Sequence, residues 1–533
     1  MKKKILALTA LLAAAAALTG CGGKTDQAAD GGKMTISWLG VPYNSSAQEG
    51  TDAELMLEEK FNVEIKPIFY ASANYNDKKT MLMAGGETPD IIYEMDPSNV
   101  VADAEQGFLS SVDYKTIAKT APTVYNVIKE NAPKAWLYSR VEDENYGIPN
   151  LNYGNMLGRL GVWRMDWLKK VGIDKVPETI EEMHDALYKI TFSDPDGNGK
   201  KDTYGMTGDI TNWHTMFTEV FGAYGVLPYN WMEQDGKVIY GGFADGITDA
   251  IDTISAWYKE GIIHPDFITD NVFESGKEKF TSGNVGYINQ NGGYIDPAST
   301  TTIAAVTKQI YPEAEVVSSK FVKGPDGKSG TQSWGAPCHI VCFGAQLQKD
   351  EAKLQKILEI FEGTISDAEF LQNLKMGKEG EIWQLRDKEK GFKAGFDWIT
   401  PYDDNSKRTN SCIDNSFGSP SFFVPVTPSM EVYKDHIMAD QEAFTEEYKM
   451  MENGLTDAFL KPDTLPSSAD CFADLRTQQI NILVKAIKGE ISSADYLSEF
   501  RAAWEKGGGL KLEEEAKEFS STIDTIVKEV EAD

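Results

Sequence analysis

Residues 34–95 decide the fold, because three strand-like segments alternate there with two helical ones. They read MTISWLG (34–40), TDAELMLEEKF (51–61), NVEIKPIFY (62–70), a helical segment at 75–84, and IIYEM (91–95). Strand, helix, strand, helix, strand predicts a parallel sheet with crossover helices. Ligands of such sheets bind beyond the carboxyl ends of the strands, here near Trp38, Tyr70 and Met95.

The rest of the chain continues this pattern and then becomes helical. Helices are predicted at 177–190, where Pro177 opens the segment, and at 246–261, and strands at 284–290 and 336–344. After about residue 395 the pattern is mostly helical, and 512–533 is predicted as a charged amphipathic helix with a solvated face. A chain of 533 residues is too long for one core, so we expect at least two lobes.

The N-terminus has the features of an export signal. Three lysines precede an apolar segment, Ile5–Leu18, that is too short for an ordinary membrane span. The tetrapeptide Leu18-Thr19-Gly20-Cys21 resembles the lipobox of bacterial lipoproteins. We therefore expect a signal peptide at 1–20, a lipid anchor on Cys21 at the extracellular face of the bacterial cell membrane, and a flexible tether at 21–33.

The composition of the chain limits the classes of molecule that it could bind. The formal net charge of −30 repels nucleic acid and anionic lipid headgroups. The chain has 11 Trp, 22 Tyr and 24 Phe, and core packing takes most of them. The Trp count still leaves a surplus that a carbohydrate site would use. Four further cysteines leave disulfide pairing open, although Cys338 and Cys342 lie in an apolar run and favour burial. These four are Cys338, Cys342, Cys412 and Cys471.

A series of phrases, taken in order, resembles the extracellular solute-binding proteins of ABC importers, family 1. Within that family the chain is similar to the long lipoprotein branch that includes the alginate-oligosaccharide binder. The phrases are MTISWLG, MLMAGGETPDIIY, GFLSSVDY, YGIPN, WRMDWLKKVGIDKVPETIEEM, FSDPDGNGKKDTYG, WYKEGIIHPDF, FTSGNVGYI and GKEGEIWQL.

The resemblance implies a two-lobed α/β fold of the periplasmic-binding-protein type. Each discontinuous lobe would have a parallel-type sheet flanked by helices, with hinge segments between the lobes and a helical C-terminal region. The expected ranges are 34–158 and 335–395 for lobe one, and 159–334 and 396–533 for lobe two. The resemblance also implies a monomer that binds a carbohydrate in the interlobe cleft, with an oligosaccharide as the expected ligand. The protein would deliver it to the transmembrane subunits of an ABC permease.

The segment DPDGNGKKD (194–202) predicts a structural Ca²⁺ site. Oxygen ligands at every second residue follow the first part of an EF-hand loop, but position 12 is Gly205 instead of Glu. A turn without metal is the alternative. The predicted ligands are Asp194, Asp196, Asn198, Lys200 through its carbonyl, and Asp202.

Aromatic and polar residues at strand ends, loops and crossings are candidates for the carbohydrate site, because aromatic faces bind sugar C–H faces and polar groups bind hydroxyls. The candidates are Trp38, Met95, Asp96, Asn152, Tyr153, Arg164, Trp213, Asn289, Asn291, Trp334, Trp398 and Tyr402.

Each candidate has a structural alternative. Core packing is as compatible with the sequence as ligand contact for Trp38, Trp213, Trp334 and Trp398. Arg164 could instead form a structural ion pair with Asp166 or Glu182. Trp167, Trp257 and Trp383 have apolar helical spacing and are assigned to the core.

Two other functions stay open. One is a binder of a peptide or another small polar solute. The other is a secreted glycoside hydrolase, which needs two carboxylates roughly 5–9 Å apart. No nucleophile elbow and no metal-binding histidine spacing occurs in the sequence, so we expect no enzymatic activity.

Overall fold

The structure, a computed structural model, describes most of the chain. The described residues are 32–41, 49–152, 159–208, 210, 216–269, 275–290, 302–333, 335, 337–391, 395–408, 422–429, 432, 454–460 and 464–532.

Strands and short 3-10 segments alternate with helices through the first 400 residues. The strands are β1 Met34–Gly40, β2 Val63–Phe69, β3 Ile91–Glu94, β4 Arg140–Val141, β5 Glu144–Asn145, β6 Gly147–Leu151, β7 Leu160–Arg164, β8 Tyr204–Met206, β9 Trp231–Gln234, β10 Lys237–Tyr240, β11 Val285–Gln290, β12 Val316–Ser319, β13 Pro337–Phe343, β14 Trp383–Leu385 and β15 Phe396–Trp398.

The helices follow the same order along the chain. They are α1 Asp52–Phe61, α2 Tyr75–Ala84, α3 Pro97–Glu105, α4 Tyr114–Thr120, α5 Pro122–Asn131, α6 Met165–Lys170, α7 Ile180–Phe192, α8 Thr218–Ala223, α9 Ile247–Glu260, α10 Ser275–Thr281, α11 Ile303–Ile310, α12 Glu351–Ile365, α13 Ala368–Met376, α14 Asn405–Arg408, α15 Ser468–Ile487, α16 Ser493–Lys506 and α17 Gly509–Ala532.

Local sequence sets the helix ends. Thr51 caps α1 by accepting a hydrogen bond from the backbone N–H of Glu54, and Thr179 caps α7 in the same way from Glu182. The helix predicted from 177 therefore begins at Ile180, because the Thr179 side chain provides the cap and Pro177 lies outside it.

The first sheet has the order β2-β1-β3-β13-β6. Its β2, β1 and β3 are parallel, as the opening stretch predicts, while β13 pairs antiparallel with both β3 and β6. The strand at 337–343 thus returns to a sheet begun almost 300 residues earlier.

The second sheet has the order β12-β7-β11-β8. Only β11 and β8 are parallel, and β7 pairs antiparallel with both of its neighbours. Both sheets are therefore mixed, and each forms the centre of one α/β lobe.

The C-terminal helices connect the two lobes. Helices α15 and α16 pack on α9, whereas α17 lies against the 3-10 helix Pro133–Ser139 beside the first sheet and also against β10. The Tyr125 hydroxyl donates to the carbonyl of Val530 at 2.9 Å, and Arg140 forms an ion pair with Glu529 at 2.5 Å.

Between described residues, the chain passes from one lobe to the other in three segments. The first two crossings are 152–159 and 333–337. Before the third, the Thr427 side chain bonds to both backbone groups of Leu151; after it, the backbone of Leu455 bonds to Thr331 and Ser333. The lobe ranges expected from the family stay predictions as a set. At the third boundary, expected between 395 and 396, the bonds of Thr427 to Leu151 keep the chain beside the first lobe as far as residue 427.

A buried ion cluster lies behind the end of β3. The Lys79 ammonium is 2.5 Å from Glu94 and 2.6 Å from Asp103, and none of the three side chains is more than 6% exposed. Burial raises the pKa of Glu94 to about 8, against the opposing effect of Lys79. Burial therefore favours a proton on Glu94 at a higher pH than an exposed glutamate would keep it.

Candidate functional site

The first lobe presents one edge of its sheet to the second lobe. Parallel β1, β2 and β3 end at this edge, followed by Val41, Tyr70 and Met95, and β6 also ends there, at Leu151. The first crossing leaves from this edge at Asn152, so the edge faces the gap between the lobes.

The second lobe presents the matching edge. Strand β7 begins at Leu160, where the first crossing arrives, and Leu160 pairs with Gln290 at the end of β11. Strand β8 runs parallel to β11 and ends at the same edge, at Met206. Carboxyl ends of strands from both lobes therefore meet at the crossings, which is where open α/β sheets bind ligands.

A polar cluster lies at this edge of the second lobe. The Asn289 amide nitrogen donates to the Glu219 carboxylate at 2.8 Å and to the Thr218 hydroxyl at 3.1 Å. Arg159 donates from Nη1 to the Asn289 carbonyl at 3.4 Å, and its backbone N–H donates to Thr331 at 2.8 Å. The cluster joins β11 and α8 to the first two crossings.

Glu219 is the buried acid of this cluster. Its side chain is 3% exposed, and burial raises its pKa to about 7, although the Asn289 hydrogen bond and the Arg159 charge act against the shift. Near neutral pH, part of the population therefore carries a proton on Glu219.

Two of the predicted ligand residues lie beside the first crossing. Asn289 belongs to the polar cluster of the second lobe, and Asn152, which is partly buried, starts the crossing at the edge of the first lobe. Arg164 is at the other end of β7. It forms a two-point ion pair with Asp166, at 2.9 and 2.8 Å, and lies over the Trp167 ring, so the structure places it in the ion pair considered as its alternative.

Three predicted residues lie on the first lobe. Trp38 is 1% exposed and packs against Phe361 and Phe422, which corresponds to the packing alternative. Asp96 accepts the capping hydrogen bond of α3 from Ser98 at 2.9 Å. Met95 follows β3 at the interlobe edge and is partly buried.

Trp398 and Tyr402 belong to a separate cluster around the β14–β15 hairpin. They are partly buried against Met376, Ile382 and Trp383, and the Arg408 guanidinium lies 4.4 Å from the Trp398 ring. The structure does not bring this hairpin together with the polar cluster. Trp167, Trp257 and Trp383 are buried, as predicted.

Five predicted site residues lie outside the described part of the chain. They are Cys21, Tyr153, Trp213, Asn291 and Trp334.

Sequence reasoning missed Arg159 and Glu219. Glu219 is the single acid in the apolar run MFTEVFGAYG (216–225), and a lone acid in such a run is the signal that could have indicated a buried titratable group. Arg159 directly precedes β7 and gave no comparable signal.

A cavity of about 560 Å³ also lies between the lobes, with its wall formed by residues of both. An ion pair between Lys134 and Glu233, at 3.4 Å, joins the first lobe to β9 of the second across it. None of the predicted ligand residues that the structure describes lines this cavity.

The 194–202 loop brings its predicted calcium ligands close together. The Asn198 amide nitrogen donates to Asp196 at 2.6 Å and to Asp202 at 3.1 Å, while the backbone N–H of Gly199 donates to Asp194 at 3.0 Å. The Thr203 hydroxyl bonds to Ile190 and is directed away from the loop.

The loop residues fit a hard cation in donor type. The Asp194 Oδ1 is buried without a partner among the described residues. A hydrogen bond from Asp196 lowers the pKa of Asp194, whereas burial and that hydrogen bond raise the pKa of Asp196. As they stand, no three His, Cys, Asp or Glu side chains in the described ranges are close enough to enclose a metal ion.

Three of the cysteines are described, and none of them forms a disulfide. Cys342 is buried, and Cys338 and Cys471 are partly buried; Cys412 lies outside the described residues. Among the described helices, none is both long and apolar enough to cross a membrane.

Two α/β lobes, three crossings and strand ends that meet at the gap define a two-lobed binding protein. The chain belongs to the bacterial extracellular solute-binding proteins, because the profile of that family matches residues 28–340. The family resemblance inferred from the sequence is confirmed.

Two curated relatives come from Bacillus subtilis (strain 168). The chain is 27% identical to lipoprotein LipO over 96% of its own length and 97% of that protein. It is 25% identical to the polygalacturonan/rhamnogalacturonan-binding protein YtcQ, over 68% of this chain and 70% of that protein.

A solved structure supports the fold class. The alginate-binding protein AlgQ2, determined without calcium ion, matches with a TM-score of 0.59 at 14% identity, over 91% of this chain and 98% of that chain. The expected two-lobed fold is confirmed.

Proposed function

We propose that this chain binds an oligosaccharide between its two lobes and delivers it to the permease of an ABC importer. One observation carries the proposal: a cluster of buried hydrogen-bonding side chains, with Arg159, Glu219 and Asn289 at its centre, lies at the strand edge that faces the gap. Amides, carboxylates and arginine are the groups that bind sugar hydroxyls. The name of the relative YtcQ supports a pectic polysaccharide fragment as the first ligand to test.

Binding would work by closure. A ligand that contacts both edges favours the state in which the lobes approach, and the three crossings provide the hinge. The closed form would then dock on the permease, whose ATPase is a separate chain. The role needs no covalent chemistry, and we propose that the protein is not an enzyme.

We also propose that the protein is held at the extracellular face of the membrane by a lipid on Cys21. The lipobox-like tetrapeptide and the name of the relative LipO support this location. The 21–33 tether would keep the binding lobes near the permease and raise their effective concentration there.

Calorimetric titration tests the ligand class. Oligosaccharides from polygalacturonan, rhamnogalacturonan and alginate are titrated into the protein, with maltotriose as a neutral sugar and mixed tripeptides as the rival class. We expect at least one oligosaccharide to bind and the tripeptides not to bind. Peptide binding without oligosaccharide binding would reject the carbohydrate proposal.

The same mixtures, analysed by chromatography after long incubation, test the enzyme alternative. We expect each oligosaccharide to remain intact. Shortened products that disappear when a single carboxylate is replaced would favour the glycoside hydrolase.

We propose a structural Ca²⁺ in the 194–202 loop. Asp194, Asp196, Asn198 and Asp202 would hold it with the Lys200 carbonyl, and the ion would stabilise the connection between α7 and β8. It would supply charge neutralisation for the three carboxylates.

Thermal unfolding with and without CaCl2 tests this site. We expect Ca²⁺ to raise the Tm of the wild type by several degrees after treatment with chelator, because an ion that binds only the folded state stabilises it. Asp194→Asn should abolish most of the rise. Asp174→Asn, at an exposed position before α7, is the control and should keep it. An equal response in the Asp194 variant would reject the site.

A further inference from the structure

Asn289 is held in one orientation by its neighbours. It lies one residue before the end of β11, paired with Gly161. Its amide nitrogen donates to Glu219 and Thr218, and its backbone carbonyl accepts from Arg159. Three elements therefore fix this residue at the interlobe edge.

In this orientation one strong hydrogen-bond acceptor, the Asn289 side-chain oxygen, does not take part in these bonds. The Asn289 side-chain oxygen is buried and has no hydrogen-bond partner among the described residues. A buried acceptor without a donor is unfavourable, so a donor from a ligand or a water molecule would stabilise it. Sugar hydroxyls are such donors.

Glu219 determines which atom of the Asn289 side-chain amide remains available to a ligand. An ionised carboxylate only accepts hydrogen bonds, so it must receive the amide nitrogen of Asn289 and leave the amide oxygen for another partner. A glutamine at the same position would offer both a donor and an acceptor, and it would leave the orientation of Asn289 undetermined.

We propose that Glu219 is a positioning residue for carbohydrate recognition, which holds the Asn289 amide so that its oxygen accepts a hydrogen bond from a ligand hydroxyl. The inference rests on the proposed function and assigns this part of the site. Glu219 does not touch the ligand and acts through Asn289.

The protonation of Glu219 adds a pH dependence. The groups that face it are Thr218 on its own helix, Tyr287 and Asn289 on β11, and Arg159 before β7. A protonated Glu219 can donate, and Asn289 can then turn its oxygen towards the acid and its nitrogen towards the ligand. Since burial raises the pKa of Glu219 to about 7, affinity should fall as the pH falls below 7.

The first experiment replaces the acid alone. Oligogalacturonide is titrated calorimetrically into the wild type, Glu219→Gln and Glu94→Gln from pH 5.5 to 8. We expect Glu219→Gln to lose about tenfold in affinity, as for one good hydrogen bond, and to lose the pH dependence. Glu94→Gln changes another buried carboxyl of raised pKa away from the cluster and should bind like the wild type.

The second experiment reverses the hydrogen bond. Asn289→Asp places two carboxylates against each other and should bind much more weakly. In the double variant Asn289→Asp with Glu219→Gln, the glutamine nitrogen can donate to one aspartate oxygen and leave the other as the acceptor. We expect the double variant to recover to within about threefold of the wild type. The Tm of every variant is measured so that misfolding is recognised.

The outcomes separate the two proposals. Unchanged affinity and pH profile in Glu219→Gln, or a double variant no better than Asn289→Asp, would overturn the positioning role. If the wild type binds no oligosaccharide of the panel, the carbohydrate proposal fails instead. The positioning role is then judged by NMR: the Asn289 side-chain amide signals should titrate with pH in the wild type and not in Glu219→Gln, and a wild-type signal without titration would overturn it.

Discussion

Glu94 shows how one buried carboxyl determines the response of this protein to pH. Its pKa is raised from 4.5 to about 8 by burial, so the folded state binds the proton more tightly than the unfolded state does. The stabilisation is complete below pH 4.5 and is lost as the pH rises through 8. Stability should therefore decrease between these two pH values.

Glu94→Gln tests this at the residue scale. Glutamine has nearly the same shape as glutamate and cannot ionise. The free energy of unfolding of the variant should therefore depend less on pH than that of the wild type. Between pH 5.5 and 8.5 we expect the wild type to lose roughly 1–3 kcal/mol more than the variant in urea unfolding. If both proteins lost the same unfolding free energy between pH 5.5 and 8.5, ionisation of Glu94 would not destabilise the folded state. Glu64→Gln, at an exposed position, is the control.

Individual residues were predictable where local chemistry decides their role. The burial of Trp167 and Trp257 follows from apolar helical spacing, and Asn289 could be singled out because it lies near the end of a strand. Trp383 is buried as predicted, but it lies in strand β14 and not in a helix. The apolar run around Glu219 could have indicated a buried acid, but the roles of Glu219 and Arg159 could not be predicted, since they depend on a contact between α8, β11 and the first crossing. Trp38 also ends a strand, but Phe422, distant in sequence, covers it.

At the scale of elements, α17 connects the two lobes. Near its start, Glu513 accepts hydrogen bonds from Arg501 and Trp504 of α16. Near its end, Glu529 and Val530 contact Arg140 and Tyr125 of the first lobe. Its buried side chains include Ile523, Ile526 and Val530.

Ile526→Ala should destabilise the protein by about 2–4 kcal/mol, because it removes buried methylenes and leaves a cavity at this contact. Lys528→Ala, on the exposed face of the same helix, should change the stability by less than about 0.5 kcal/mol. Chemical denaturation of both variants provides the measurement. A loss of less than about 1 kcal/mol in Ile526→Ala would mean that this end of α17 does not pack on the first lobe in solution.

The sequence predicted α17 as an amphipathic helix with a solvated face, and the helix is present. Its buried positions, 512, 516, 523, 526 and 530, follow the helical period. The partner of that face could not be predicted, because periodicity reports which residues are buried and not what covers them.

At the scale of the whole molecule, the proposed lipid anchor on Cys21 would determine where binding can serve transport. Cys21→Ala should release a folded, ligand-competent protein into the medium and reduce uptake of the bound sugar by the cells. Immunoblots of medium and membrane fractions, with an uptake assay, provide the measurement. Ser45→Ala, outside the N-terminal segment, is the control. A variant that stays on the membrane with intact uptake would contradict both the anchor and its role in transport.

The overall architecture was predictable only in part from the residues themselves. Local periodicity predicts the parallel start of the first sheet, since its strands are close in sequence. The insertion of β13 between β3 and β6 depends on pairing over about 190 to 250 residues, for which local patterns carry no signal. The discontinuous lobes were expected from the family resemblance alone.

The hydrogen bond between Tyr125 and Val530 joins residues 405 positions apart. During synthesis the ribosome makes the first lobe early, but its contact with α17 cannot form until residue 530 has been added. A chain that is nascent or clipped before α17 would therefore expose the surface that Ile526 and Val530 normally cover. The cell could recognise copies without α17 by this surface, because proteases and chaperones act on exposed apolar segments.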